Sequence, residues 1–412
     1  MIDRYDIGLE KAISITFDRL SPNRPAEVPV DRACGLVAAE DSYALVDCPS
    51  STASLKDGYA VISDELKDAA IDHPVRLRVL GMLGAGDNSD LVLTTGTAIK
   101  VMTGASIPEG SDAVVSDEFT REECGWVLCF RDAGPGKNIL ARGSDVEKES
   151  RIKIKGQVLN PAMTGLLAAA GISSIRVYPK PRVGVVATGS EIVAPGNQLG
   201  PGQLYASNMV TLVSWLRRFG MEAESRVLPD NEDQIRAAIE AMLTKVDVLL
   251  TSGGAWKSER DLTTKILIEM GGELAFHRVR LGPGKAVALI IIADKVVFCL
   301  PGGPPSNEMA FLQIALPGLL YMSGRDQEPF EYRRAILSSP IEGDITWTQF
   351  YQGRLEERGR QLFVHPIKMK SRLMSQAIAD ALIGLPEGVD HFSEGDEVAV
   401  QVLGSAGYGY YF

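Results

Sequence analysis

The sequence predicts an α/β protein carrying additional β domains, and three observations lead to that class. Between about residues 181 and 325, apolar strand-like runs alternate with helical periodicity, the pattern of a parallel sheet with right-handed crossovers. On either side, from about 28 to 180 and again from about 330, strands are short and separated by turn residues at roughly eight- to twelve-residue intervals. The 412 residues exceed what one core organises, and at roughly 150 residues per domain they suggest about three domains.

Taken in order, residues 7–20 place Ile7, Leu9, Ala12, Ile13, Ile15, Phe17 and Leu20 largely on one helical side, and Ser21-Pro22-Asn23 ends the run. The runs PVRLRVLGM, TAIKVMTG, DAVVSDE and WVLCFRD read as strands of a small barrel or irregular β domain, with a helix near Pro161–Ala170. Polar stretches around Asp57, Thr103 and Asp145 interrupt them. RVGVVATGSE (182–191) is a strand running into a polar loop, and 205–219 reads as a helix. A strand near 224–228 precedes Pro229-Asp230-Asn231 and a helix through Ile235, Ile239 and Met242, with Asp230 placed as N-cap. In VDVLLTSGGAWKSERD (246–261), Val248, Leu249 and Leu250 form a buried strand, Thr251 to Gly254 a turn, and Asp261 opens a helix through Leu262, Ile266, Leu267 and Met270. LGPGKAVALIII and KVVFCL form a hairpin. The nearly all-apolar helix from Asn307 to Leu320 must be buried in its own domain or against another subunit. The alternating EVAVQV belongs to a second small β domain.

A formal charge of −11 disfavours non-specific binding to nucleic acid or to an anionic membrane. MIDRYDIGLEKAI has acidic residues where a signal peptide needs basic ones, and no stretch reaches about 18 apolar residues, so a cytoplasmic protein is expected. Cys34, Cys48, Cys124, Cys129 and Cys299 form no CxxC pair, and His73, His277, His365 and His391 are scattered singly. Disulfide, zinc-ribbon and Ser-His-Asp chemistry are therefore not expected.

Strand, glycine loop, helix is an arrangement that aims main-chain N–H groups at an anion. Thr188–Glu191, Asp230 and Ser252–Asp261 all fall at strand carboxyl ends, where open parallel sheets bind ligands. Simpler roles stand beside this one: Gly253-Gly254 as a tight connection, Asp230 and Asp261 as helix caps, Asp57 as a turn residue before Gly58.

The series DGYA at Asp57, MTGA at Met102, RGSD at Arg142, ATGSE at Ala187, PGQLYASN at Pro201, SGG at Ser252 with Asp261 beyond it, PGK at Pro283 and LPGGP at Leu300 resembles, in content and order, the MoeA and gephyrin E-domain family, the molybdopterin molybdenumtransferases. The resemblance spans nearly the whole chain. It implies an N-terminal region 1–180 with a β domain inserted at about 46–145, a three-layer central α/β domain at 181–325 that binds molybdopterin, and a C-terminal β-barrel domain at 326–412. It implies a homodimer whose site joins one central domain to the partner's N-terminal domains. The implied reaction takes adenylylated molybdopterin and molybdate, with Mg²⁺, to molybdenum cofactor and AMP. A molybdopterin adenylyltransferase and molybdoenzyme-maturation proteins are the implied partners.

Carried over by motif, Asp57, Thr103, Asp145, Glu191 and Lys285 are the expected catalytic residues. Thr188, Gly189, Ser252, Gly253, Gly254, Trp256, Pro301, Gly302 and Ser306 are expected to bind the pterin nucleotide, and Asp230 and Asp261 the metal. That set suits phosphoanhydride cleavage, which needs donors and cations on phosphate and carboxylates on a metal. The chain departs from the family at Trp256, Lys257 and Ser258 in SGGVSVGxxD, at Ser190, Ala206, Leu55 and Lys56, at Gly282 where a family lysine is absent, and at Gly303. Three readings follow: an insertion enzyme for molybdate or tungstate, a paralogue that binds or delivers pterin or cofactor without insertion, and a scaffold.

Overall fold

The computed structural model describes residues 5–87, 90–253, 262–368 and 371–404. Its centre is a six-stranded sheet built from β1 (Val183–Thr188), β2 (Ala223–Leu228), β3 (Val248–Ser252), β4 (Glu273–Gly282), β5 (Ala288–Ile292) and β6 (Lys295–Leu300) in the order β2-β1-β3-β6-β5-β4. Neighbours β2, β1, β3 and β6 are parallel, and β5 alone runs against them, pairing antiparallel with β6 and β4. The expected hairpin is β5–β6. β1 and β3 are buried along their whole length, as strands covered on both faces must be.

Alternate side chains sort the two faces. Val183, Val185, Val248, Leu250, Phe298 and Leu300 share one core with helices Leu9–Arg19, Ser207–Arg218 and Leu316–Met322. Val186, Leu249, Val297 and Cys299 share the other with helices Glu232–Leu243 and Leu262–Glu269. Helix, sheet and helix make three layers. The Glu232–Leu243 helix is capped by Asn231, whose side chain accepts from Gln234 N at 2.9 Å. Asp230, expected at that cap, lies one residue too early, because the capping oxygen must reach an N–H three residues on.

The first turn expected of the N-terminal helix is instead a strand, Tyr5–Gly8, paired parallel with β4 through Ile7↔Val279, and the helix begins at Leu9. An unpaired sheet edge takes up extended chain that amphipathic spacing alone reads as helix. The apolar helix is Pro304–Ala310, a π turn Phe311–Ala315, and Leu316–Met322. The π turn stands just before Pro317, which has no N–H to give a regular turn. Residues Phe311, Leu312, Ile314, Ala315 and Leu316 are buried in the central core of the same chain, the first of the two burials expected for this helix.

The N-terminal region is split. Strands Ala26–Pro29 and Val37–Ala38 pair with Ser174–Tyr178, and Ala38, Ile152, Leu167 and Val177 share one core across the two segments. Between them an inserted domain runs Thr120–Glu123, Trp126–Cys129, Val75–Leu83, Thr97–Val101, Gly58–Val61, Ala113–Ser116 in sheet order, an open sheet whose end strands do not pair. The C-terminal strands Glu331–Leu337, Thr348–Arg358, Gln361–Pro366, Ala381–Leu385 and Glu397–Val402 pair in a closed ring, a five-stranded barrel around Leu337, Val364, Ile383 and Val400. It joins the central sheet where Gly282 of β4 pairs with Gln349. No helix among the described residues is long and apolar enough to cross a membrane.

Candidate functional site

The carboxyl ends of β1, β3 and β6 meet around Gly253. Its N–H donates to Leu300 O at 3.2 Å, and its φ is +100°. A Cβ at this position would lie against Thr188 O, well inside the 3.0 Å that Cβ atoms do not cross. Only glycine lets β1 and β3 end this close together. A Cβ on Gly302, by contrast, would meet nothing among the described residues nearer than Gly253 Cα at 3.8 Å.

Two asparagine side chains hold this edge. Asn208, in the first turn of its helix, donates from Nδ2 to Ser252 Oγ at 3.2 Å and to Gly302 O at 2.8 Å. Asn307, 1% exposed, donates from Nδ2 to the same Ser252 Oγ at 3.0 Å and to Pro301 O at 2.8 Å. Each amide faces a carbonyl as well as the hydroxyl, which settles its orientation. Both lone pairs of Ser252 Oγ are thereby occupied, so its proton is left to donate to a third group. Asn307 was missed as a site residue by sequence reasoning; the signal for it is a polar amide inside an otherwise apolar helical run.

Next to this clamp lies a second polar group. Ser190 N donates to Asp230 Oδ2 at 3.1 Å, and Asp230 N donates to Ser190 Oγ at 3.3 Å, tying the β1 and β2 loops together. The Glu191 carboxylate folds over Gly189, where a Cβ would sit 2.6 Å from Glu191 Oε2. Thr188 is 5% exposed, and its hydroxyl makes no hydrogen bond among the described residues. Ser306, half-buried, stands in the first turn after Gly303. Thr188, Gly189, Glu191, Asp230, Ser252, Gly253, Pro301, Gly302 and Ser306 thus gather on one edge. Gly254, Trp256 and Asp261 lie outside the described residues, as do Lys257 and Ser258.

Lys285 is on the same edge, in the β4–β5 turn. Two strand spacings, about 9–10 Å, separate β4 from β6. Its ammonium sits 4.7 Å from the centre of the Trp347 ring, contributed by the start of the C-terminal domain. That indole holds the cation in place, and no local pattern in the sequence pointed to it.

Asp57, Thr103 and Asp145 belong to the N-terminal side. Asp57 Oδ1 accepts from Thr103 N at 2.6 Å and from Thr103 Oγ1 at 2.8 Å. The main-chain N–H first, and the hydroxyl second, hold the Asp57 carboxyl below its ordinary range. Gly58 follows because its Cα presses on Val115 O of the neighbouring strand, leaving no room for a Cβ. Asp145 N donates to Cys48 O at 2.9 Å. The inserted domain closes on its own apolar clusters around Tyr59 and Ile99. Within one chain, no hydrogen bond between described residues joins Asp57, Thr103 or Asp145 to the carboxyl edge.

No group of three or more metal-ligating side chains occurs among the described residues. Among the described residues Asp230 Oδ1 has no hydrogen bond, since Ser190 N donates to Oδ2. One carboxylate with substrate phosphates and water is a donor set that suits Mg²⁺.

Three family models cover the chain: the MoeA N-terminal region (domains I and II) over residues 7–171, a probable molybdopterin binding domain over 184–320, and the MoeA C-terminal region (domain IV) over 334–403. Molybdopterin molybdenumtransferase 2 of Mycobacterium tuberculosis is 30% identical over 383 residues, covering 92% of this chain and 95% of that protein. The molybdopterin molybdenumtransferase of Bacillus subtilis is 31% identical over 376 residues, covering 89% and 86%. The crystal structure of a molybdopterin biosynthesis MoeA protein from Pyrococcus horikoshii matches with a TM-score of 0.79 at 34% identity, over 97% of this chain and 100% of that one.

Proposed function

This chain belongs to the MoeA family of molybdopterin molybdenumtransferases, and we propose that it inserts molybdate into adenylylated molybdopterin with release of AMP. The observation that carries the reading is the Ser252–Gly253 edge, where the ends of β1 and β3 close on one another and two asparagine amides hold the Ser252 hydroxyl. The Ser252 O–H, whose oxygen already accepts from Asn208 and Asn307, is the donor for an anionic group of the substrate. Asn208 and Asn307 keep that hydroxyl aimed before substrate arrives, so little reorganisation is required as charge develops.

The roles of the surrounding residues follow from their charge. Lys285, steadied by Trp347, presents a cation to the phosphates. Asp230 would hold Mg²⁺ through Oδ1, and a bound ion would supply positive charge to the phosphoanhydride. Glu191 supplies a carboxylate beside Gly189 for the same cation shell. In a homodimer the partner subunit brings a second inserted domain to this edge, and with it the Asp57–Thr103 pair and Asp145. A cytoplasmic enzyme working between a molybdopterin adenylyltransferase and molybdoenzyme-maturation proteins is the setting this chemistry fits.

The test is direct. Purified protein is incubated with adenylylated molybdopterin, Mg²⁺ and molybdate, and AMP and pterin-bound molybdenum are quantified together. AMP and molybdenum should appear in equal amounts, and omission of any component should stop both. Tight pterin binding without AMP release would overturn the enzymatic reading.

A further inference from the structure

Away from the carboxyl edge, a groove of about 460 Å³ runs between the helices Ser207–Arg218, Pro304–Ala310 and Arg372–Ile378. Val210, Trp215, Arg218, Glu308, Leu373 and Gln376 line it. Its volume lies within the range of sites that enclose small organic groups, about 300–1,000 Å³. Val210 is 47% exposed and Leu373 52%, and Met374 on the same short helix is also open to solvent. The walls are organised for an aromatic guest. Trp215 Nε1 donates to Glu308 Oε1 at 2.7 Å, Gln376 Nε2 donates to Glu308 Oε2 at 2.6 Å, and the Arg218 guanidinium lies 5.0 Å from the Trp215 ring centre. Apolar walls take a ring, and Glu308 offers an acceptor to a phenol.

The chain itself arrives at this groove. Leu403 is buried in the central core, and its N–H donates to Asp380 O at 2.8 Å. Gly404 then turns at φ +97° beside the Arg218 guanidinium. The eight residues that follow, SAGYGYYF, carry no charged side chain and contain Tyr408, Tyr410, Tyr411 and Phe412, against 7% aromatic residues in the chain as a whole. At about 3.3 Å per residue they reach some 26 Å, more than enough to cover the groove from its rim. Each aromatic side chain left in water forgoes burial of about 150–250 Å².

We propose that the aromatic segment Tyr408–Phe412 docks in this groove of its own chain. Docked there, it joins the C-terminal domain to the two helices whose first turns carry Asn208 and Asn307, and so braces the edge that holds Ser252. The inference does not depend on the transferase reading, because the groove and the segment stand apart from the carboxyl edge.

Hydrogen exchange compares the full chain with a chain ending at Gly404. Without the segment, amides of 207–218 and 372–378 should exchange at least about tenfold faster, while those of the inserted domain stay unchanged. Leu373→Asp in the full chain, a substitution at an exposed position, should reproduce the loss. Equal exchange in full and shortened chains overturns the proposal, as does protection that survives Leu373→Asp. Mixing isotopically distinguished full and shortened chains separates the second copy as occupant: protection passed to the shortened chain would show docking between molecules and refute docking within one.

Discussion

Replacing Gly253 with alanine adds one methyl group at the point where three strand ends converge. The new Cβ would press on Thr188 O inside the 3.0 Å limit, and the residue would have to keep a φ of +100°. A non-glycine residue in that backbone region costs about 1–3 kcal/mol. Restoring an ordinary carbon–oxygen separation of roughly 3.3 Å moves the β1 and β3 ends apart by about 0.5–1 Å. The same movement lengthens the 3.2 Å bond from Gly253 N to Leu300 O. The expected loss of stability is about 2–4 kcal/mol, and a displacement near 1 Å at a reacting centre costs on the order of 100-fold in rate. Gly302→Ala is the internal control for packing, because among the described residues its Cβ would meet only Gly253 Cα, at 3.8 Å. That variant should stay within about 0.5 kcal/mol of the parent in stability. Single-turnover AMP release gives the rate, and hydrogen exchange across 183–188 and 248–253 gives the local stability. Gly253→Ala turning over within threefold of the parent would refute the argument. Gly302→Ala failing as badly as Gly253→Ala would refute it equally, since the effect would then not come from the close approach to Thr188.

Asn307→Ala strips two buried donors and leaves Pro301 O unpaired, so urea unfolding of the central domain should lose about 2–4 kcal/mol, with pterin-nucleotide affinity falling by calorimetry. For Asp57 the folded pKa is depressed, so the stability it contributes is present above its unfolded value and is lost as pH falls through the folded one. Thr103→Val removes the second of its two causes, and a ¹³C carboxyl titration should show Asp57 taking up its proton at higher pH than in the parent. Gly282→Lys restores a phosphate-side cation, and its Cβ would meet the flexible Gln349 Cγ at 3.1 Å. Because only contacts stronger in the transition state accelerate the step, AMP release should rise more than affinity; an equal rise in both would remove that role. The composite site proposed above would require two copies of the chain, so light scattering at micromolar concentration should report a dimer.

The strand-and-loop framework of the central domain was open to reading in the chain. Val183–Thr188 and Val248–Ser252 are apolar along their length and end in glycine and hydroxyl residues, and both depend on neighbours in sequence for that character. The motif residues from Thr188 to Ser306 could be named for the same reason. What the tertiary structure alone decided was which of them meet. Asn307 reaches Ser252 across 55 positions of sequence, and Ile7 pairs with Val279 across far more. Trp347 finds Lys285 from another domain. The cap at Asn231 rather than Asp230 was settled by the reach of one side chain to Gln234 N. Periodicity and turn residues record each position's immediate surroundings, whereas these contacts depend on how separate segments pack. The same limit applies to Asp57 and Thr103: they bond to each other within the inserted domain, and no hydrogen bond between described residues joins that pair to the edge where Ser252 stands.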